Sequence, residues 1–297
     1  MKTFSKRPYA IQEQIQLLKD RGMVIEDDDH AAFFLSYCSY YRFCGYALPF
    51  EYFLPDGTRL HKYKEGTTFE TIEKIYHFDG ALRRLLFHYL TLIEIGFRNV
   101  FCNEIAIFYN DSHWYMKPDA YCNNDAYENL FLQSEQEVKR SKEVFIKAYK
   151  ENYNTPNLPP IWMLTEIMSF SFWSKSYQNL KEPELRNVIA SIYGIPEKYM
   201  ISWLRALAVL RNACAHHARV WNRNFSQLPL ISPRIFKKIP VGQHPKLASF
   251  LLILKDILRK NNRDDDFKND MIALFDKYPK VPFKRMGIPC PISEFLA

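Results

Sequence analysis

The residues best suited to chemistry lie in one string, Arg211-Asn212-Ala213-Cys214-Ala215-His216-His217-Ala218-Arg219-Val220-Trp221-Asn222-Arg223. Arginine offers a planar, permanently charged fork that matches phosphate oxygens. Histidine moves protons near neutral pH, and a primary amide can hold either group in place. Together a fixed cation, an amide and an imidazole meet the needs of metal-free RNA cleavage. The 2′-hydroxyl must lose a proton, the 5′-oxygen must gain one, and the charge of the phosphorane must be stabilised. On a helix Asn212 and His216 are four apart and share a face, with Arg211 on its flank, about 100° round. The Arg-x4-His pattern is short, however. An arginine that caps or ion-pairs with a neighbour, beside histidines packed in a core, satisfies it as well.

The surrounding periodicity says what must hold these residues. Trp203, Leu207, Leu210, Cys214 and His217 follow a 4-3-4-3 stripe that faces a core, while Arg205, Val209, Asn212, His216 and Arg219 form an adjacent polar stripe. This placement ranks His216 ahead of His217 as the proton-transfer group. Residues 78–109 contain no proline and read as one long helix, with Leu82, Leu85, Tyr89, Leu92, Gly96 and Asn99 at 3–4 spacing and Leu86, Leu90, Ile93 and Phe97 alongside. So wide an apolar face suits the centre of a bundle. On it Glu94 and Arg98 are four apart, with Thr91 on the same side. They read first as an i,i+4 ion pair, and alternatively as a buttress for Arg211. Glu166 reads as a buried polar anchor. Tyr40, Tyr41 and Tyr46 read as an aromatic core patch rather than a platform for bases.

The remaining elements are also helical: residues 11–21, 31–40, 126–150, 161–180, 184–193, 196–216, 247–260 and 267–278. Thr67-Thr68-Phe69-Glu70 is a capping box that opens the central helical region. Residues 40–50 and 59–64, on either side of Pro55-Asp56-Gly57, are expected to pair as one short hairpin. The fold class is therefore all-α, a helical bundle with N-terminal and C-terminal helical additions. The regions are expected at 1–66, 67–223 and 224–297.

Composition narrows the chemistry further. The chain has 297 residues with 40 Lys+Arg against 33 Asp+Glu, and the excess is not evenly spread. Residues 201–297 carry 17 basic and 7 acidic side chains, whereas residues 1–200 carry 23 and 26. A basic third of this kind is the electrostatic footprint for a polyanion, although a solvated lysine-rich surface has the same signature. Only nine glycines argue against folds built on phosphate-binding loops. The six cysteines form no CxxC pair, and no histidine joins them at zinc-ligand spacing. Neither a metal nor a cofactor is expected, and the thiols should be reduced. No run of 18 uncharged apolar residues and no signal-peptide apolar region is seen, so no membrane association is expected and the location is expected to be cytoplasmic.

The fuller string, Arg-Asn-x-Cys-Ala-His-His-x-Arg-x-Trp-Asn-Arg, resembles the Abi-like (AbiD/AbiF type) abortive-infection proteins of bacteria, within the HEPN superfamily and its R-x4–6-H signature. The resemblance extends over most of the chain. It includes Tyr40-Tyr41-Arg42…Gly45-Tyr46…Pro49-Phe50, Ile93-Glu94-Ile95…Arg98, Pro160-x-Trp162…Glu166 and Ser202-Trp203-Leu204. It implies a HEPN-like bundle and a metal-independent endoribonuclease acting by 2′-hydroxyl attack in phage defence, of abortive-infection or toxin–antitoxin type. Arg211, Asn212 and His216 match the signature as catalytic residues, with His217, Arg219, Glu94 and Arg98 as auxiliary candidates. The implied partners are RNA, a second copy of the chain in a C2 homodimer, and an RNA or protein antitoxin. A non-catalytic RNA-binding or regulatory dimer in a defence complex is the alternative.

Overall fold

A computed structural model describes Thr3 and residues 7–237 and 246–297. Part of the proline-containing connection after the motif, residues 238–245, lies outside the described residues, as does most of the segment before Arg7. The described elements run α1 (Ile11–Asp20), α2 (Asp28–Cys38), α3 (Tyr40–Ala47), β1 (Glu51–Phe53), β2 (Arg59–Tyr63) and α4 (Phe69–Tyr109). They continue with α5 (Asn124–Arg140), α6 (Val144–Asn152), α7 (Ile161–Ile167), α8 (Phe170–Gln178), α9 (Pro183–Ile192) and α10 (Glu197–Ala215). The chain closes with α11 (Pro233–Phe236), α12 (Leu247–Leu258), α13 (Asp264–Lys277) and α14 (Ile292–Phe295). The fold is all-α, and among the described residues β1 and β2 form the one antiparallel hairpin. It divides into two compact units. One comprises the residues up to Ala81 with Lys277–Val281, the other Leu82–Asp276 with Pro282–Ala297.

In the first unit α1 and α2 pack together, and Phe34, Phe43 and Phe69 make its aromatic centre, the last two stacked at 4.4 Å. The hairpin is shorter than the sequence predicts. Residues 40–47 have strand-like aromatic composition but a helical period, and the Ser39 side chain accepts from the Arg42 N–H to start α3. Only Glu51–Phe53 remains to pair with Arg59–Tyr63. The aromatic patch separates as well: Tyr46 is buried and donates to Asp79, whereas Tyr41 is 89% exposed. The cap of α4 is Thr68, whose hydroxyl accepts from the Thr71 N–H at 3.1 Å, and the Thr67 hydroxyl turns back to the Lys64 carbonyl.

The second unit is built around the later part of α4. Leu82, Leu86, Leu90, Ile93, Phe97, Phe101 and Ile105 form its buried stripe, and Phe97 and Phe101 meet Phe170, Trp173 and Tyr177 of α8 edge-on. By length and composition α4 could cross a membrane, with a mean hydropathy of 1.2 over its most apolar 18 residues. The same property belongs to the central helix of a bundle, which is the role this stripe plays. Helix α10 packs on α8, α9 and α12, and α12 is apolar on every side and buried almost throughout. Two predicted helices are each divided. The 126–150 segment breaks at Ser141, and the 161–180 segment breaks at Met168, where Ser169 caps α8. Trp162 and Glu166 both end up exposed, so Glu166 is not a buried anchor.

Candidate active site

The stripe that faces the core is the one read from the sequence, up to its last member. Trp203, Leu207, Leu210 and Cys214 are buried, and this seats the α10 face bearing Arg211 and Asn212 next to α4 and α8. Arg211 Nε donates to Glu94 Oε2 at 2.9 Å. The side chains are 27% and 7% exposed respectively, so the carboxylate is the deeper partner. The guanidinium also lies 5.8 Å from the Phe87 ring centroid, at the outer limit of a cation–π contact. Phe87, Thr91, Glu94 and Arg98 follow a 4-3-4 spacing and form one line along α4.

Glu94 thus pairs with Arg211 on another helix, as the alternative reading has it, and not with Arg98 four residues on, whose buried Nε has no hydrogen-bond partner among the described residues. A buried carboxylate needs a cation more than an exposed one does, because its lost hydration must be replaced. Arg211 is that cation, and its orientation is fixed in return. Asn212 holds the other side: its Nδ2 donates to Ser171 Oγ at 3.3 Å, and its Oδ1 receives a long 3.5 Å contact from Arg211. The amide thus positions the arginine and α8, and only the Asn212 backbone carbonyl reaches His216, accepting its N–H at 3.0 Å.

The helix ends at Ala215, and its mode of ending relocates both histidines. The Ala218 N–H bonds to the Ala213 carbonyl at 2.9 Å and the His217 N–H to the Cys214 carbonyl at 3.2 Å. This is a Schellman closure, with His217 in the left-handed position at φ 55°. His217 therefore leaves the core-facing stripe and is exposed, as is His216. The core-stripe reason for ranking His216 above His217 does not hold. Sequence reasoning also missed Ser171 and Phe87. Phe87 could have been found as the earlier member of the Thr91–Glu94 line, but nothing local marks Ser171.

Beyond the helix end, Val220 and Trp221 are buried, and Asn222 is left-handed at φ 49°. Arg223 donates to the Arg219 carbonyl at 3.3 Å and lies over Phe225. Lys246 Nζ donates to Asn222 Oδ1 at 3.0 Å. Burial lowers the pKa of this lysine, and the neighbouring Arg285 lowers it further; burial lowers that of Arg285 too. A cationic cluster thus adjoins the end of the motif. The basic excess is not all available to a ligand, since Arg211, Arg259 and Arg263 each face a carboxylate.

The family model of Abi-like proteins matches residues 33–222. No curated protein and no solved structure matches the chain. The matched span runs from α2 to just past the Schellman turn and contains Glu94, Arg211, Asn212, His216 and His217. Covering well over half of the sequence, it shows that the chain belongs to the Abi-like protein family, whose name points to abortive infection, a defence against phage.

Proposed function

We propose that the chain is a metal-independent endoribonuclease of HEPN type that acts in phage defence. The observation that carries this reading is the Glu94–Arg211–Asn212 cluster, which holds a guanidinium in a fixed orientation at the end of a helix that also delivers His216 to the surface. Arg211 stabilises the negative charge that develops on the phosphorane, an electrostatic role that preorganisation strengthens. His216 transfers protons. In the reaction the 2′-oxygen bonds to phosphorus as its proton leaves, and the bond from phosphorus to the 5′-oxygen breaks as that oxygen is protonated. One imidazole serves one of these transfers at a time, and a second copy related by a two-fold axis would supply the other. The basic residues past the motif contribute affinity for the RNA backbone, with the steep salt dependence of phosphate contacts.

The test is the cleavage of single-stranded RNA by the purified full chain in excess EDTA. The expected products carry 2′,3′-cyclic phosphate and 5′-hydroxyl ends, and their formation requires His216. Loss of cleavage on chelation, or a His216→Ala protein that is fully active along with His217→Ala, overturns the mechanism. RNA binding without cleavage by the wild type favours a regulatory RNA-binding protein instead.

A further inference from the structure

The first unit contains a cavity of about 540 Å³ that the reading above does not use. Its walls come from the segment before α1, the end of α1, one face of α3 and the β2 strand. Three arginines and one histidine line it (Arg7, Arg21, Arg59 and His61), and among the described residues no Asp or Glu does. Arg7 and Arg59 are already engaged, with Glu13 at 2.8 Å and Glu51 at 2.7 Å. Arg21 differs. Its guanidinium donates to the Tyr40 hydroxyl at 3.3 Å and faces no carboxylate among the described residues, so its charge remains for an anion. His61 is held at φ 53° within a strand, a conformation that non-glycine residues seldom adopt.

The aromatic wall supplies the other half of a ligand. Tyr40 and Tyr41 line the cavity, and the Tyr41 ring is almost wholly exposed. Gly45 lies four residues on, so its side-chain position falls over the Tyr41 turn of α3. Apart from its chain neighbours and its own helix backbone, a Cβ placed there meets no atom of the described residues within 4 Å. Packing does not call for glycine at this point, and glycine is a poor helix former. What it does is leave an open slot beside an exposed ring. A flat π system in that slot with an anionic group at Arg21 describes a nucleotide, and the volume lies within the range of small-molecule sites.

We infer that this cavity binds a nucleotide, its base stacked on Tyr41 in the slot above Gly45 and its phosphate held by Arg21. The ligand is either a free nucleotide or one unpaired residue of an RNA strand. The site stands whether or not the Arg211–His216 segment cleaves RNA. Calorimetric titration of the full chain with 5′-AMP and, separately, with a single-stranded pentanucleotide tests it. Binding of 5′-AMP identifies the free-nucleotide source, and binding of the pentanucleotide alone identifies the strand. Either way Tyr41→Ala weakens binding roughly tenfold, as loss of a stacking partner does. Gly45→Leu fills the slot and removes 5′-AMP binding, or reduces pentanucleotide binding to what the basic residues past the motif hold, while the melting temperature stays level or rises because a better helix former replaces glycine. Neither ligand binding up to about 1 mM, a negligible affinity, overturns the inference. So does binding that neither substitution weakens.

Discussion

The C-terminal part of α10 and the residues at and just after its end are built on different principles. Arg211 and Asn212 are held from α4 and α8 by a buried carboxylate, an aromatic ring and a serine hydroxyl. His216, at the helix end, is exposed, and its ring makes no hydrogen bond with the described residues, while His217 beyond it is held by backbone geometry in a left-handed turn. The cation is thus fixed before any ligand arrives, whereas an imidazole at the surface is available to one. On the proposed reading this division suits the chemistry: charge stabilisation gains from a rigid partner, and a proton-transfer group needs access to the substrate.

The sharpest way to break this contrast is to remove the cation. Arg211→Ala should lower cleavage by about 10³-fold, the upper range for loss of a charge-stabilising donor. It should also destabilise the fold by about 2 kcal/mol, because Glu94 is left buried without its partner. The double variant Arg211→Ala/Glu94→Gln should regain most of the stability and none of the cleavage. Urea denaturation beside initial rates on a labelled RNA separates the two effects. A double variant that cleaves at the parent rate would show that Arg211 serves only the fold.

What could be read in the sequence, and what could not, divides along the same line. The stripe Trp203–Leu207–Leu210–Cys214 follows from helical period alone and is buried. The long α4 is also legible from its period, but its buried line is Leu82–Leu86–Leu90–Ile93–Phe97, whereas of the adjacent stripe Leu85, Leu92 and Gly96 are half-buried and Asn99 is exposed. For Glu94, spacing ranks the ion pair with Arg98 first and a contact with Arg211 only as the alternative. Spacing exposes neighbours along one helix, as it did Arg98, but the contact made is with a helix more than a hundred residues away. The end of α10 was obscured for a different reason. A Schellman closure is usually marked by glycine at the left-handed position, and here a histidine occupies it. In the first unit, aromatic composition made residues 40–47 look like a strand. The Ser39 cap and the burial of Phe43, Tyr46 and Ala47 at 3–4 spacing make them a helix.

The exposed side of the contrast is tested by His216→Ala. Cleavage should fall about 10²-fold or more, within the range of general acid–base catalysis. Stability should stay within about 0.5 kcal/mol of the parent, as for surface substitutions without a buried partner. A stability loss comparable to that of Arg211→Ala would show that His216 is held as firmly as the arginine, and the distinction between the two regions would fail.

The smallest effect concerns His217 and decides between the two histidines. A residue with a Cβ at the left-handed position of a helix end carries a conformational cost that glycine does not. His217→Gly should therefore raise stability by about 0.5 kcal/mol, less than the full backbone difference because the imidazole's present contacts are lost and glycine adds freedom to the unfolded chain. The Schellman bonds from Ala218 and His217 to Ala213 and Cys214 use only backbone atoms, so the helix end and the position of His216 persist. If His216 carries the proton, the more stable His217→Gly protein cleaves at the parent rate. If cleavage is lost while the melting temperature rises, the proton-transfer group is His217, and the strained backbone at φ 55° is what presents it.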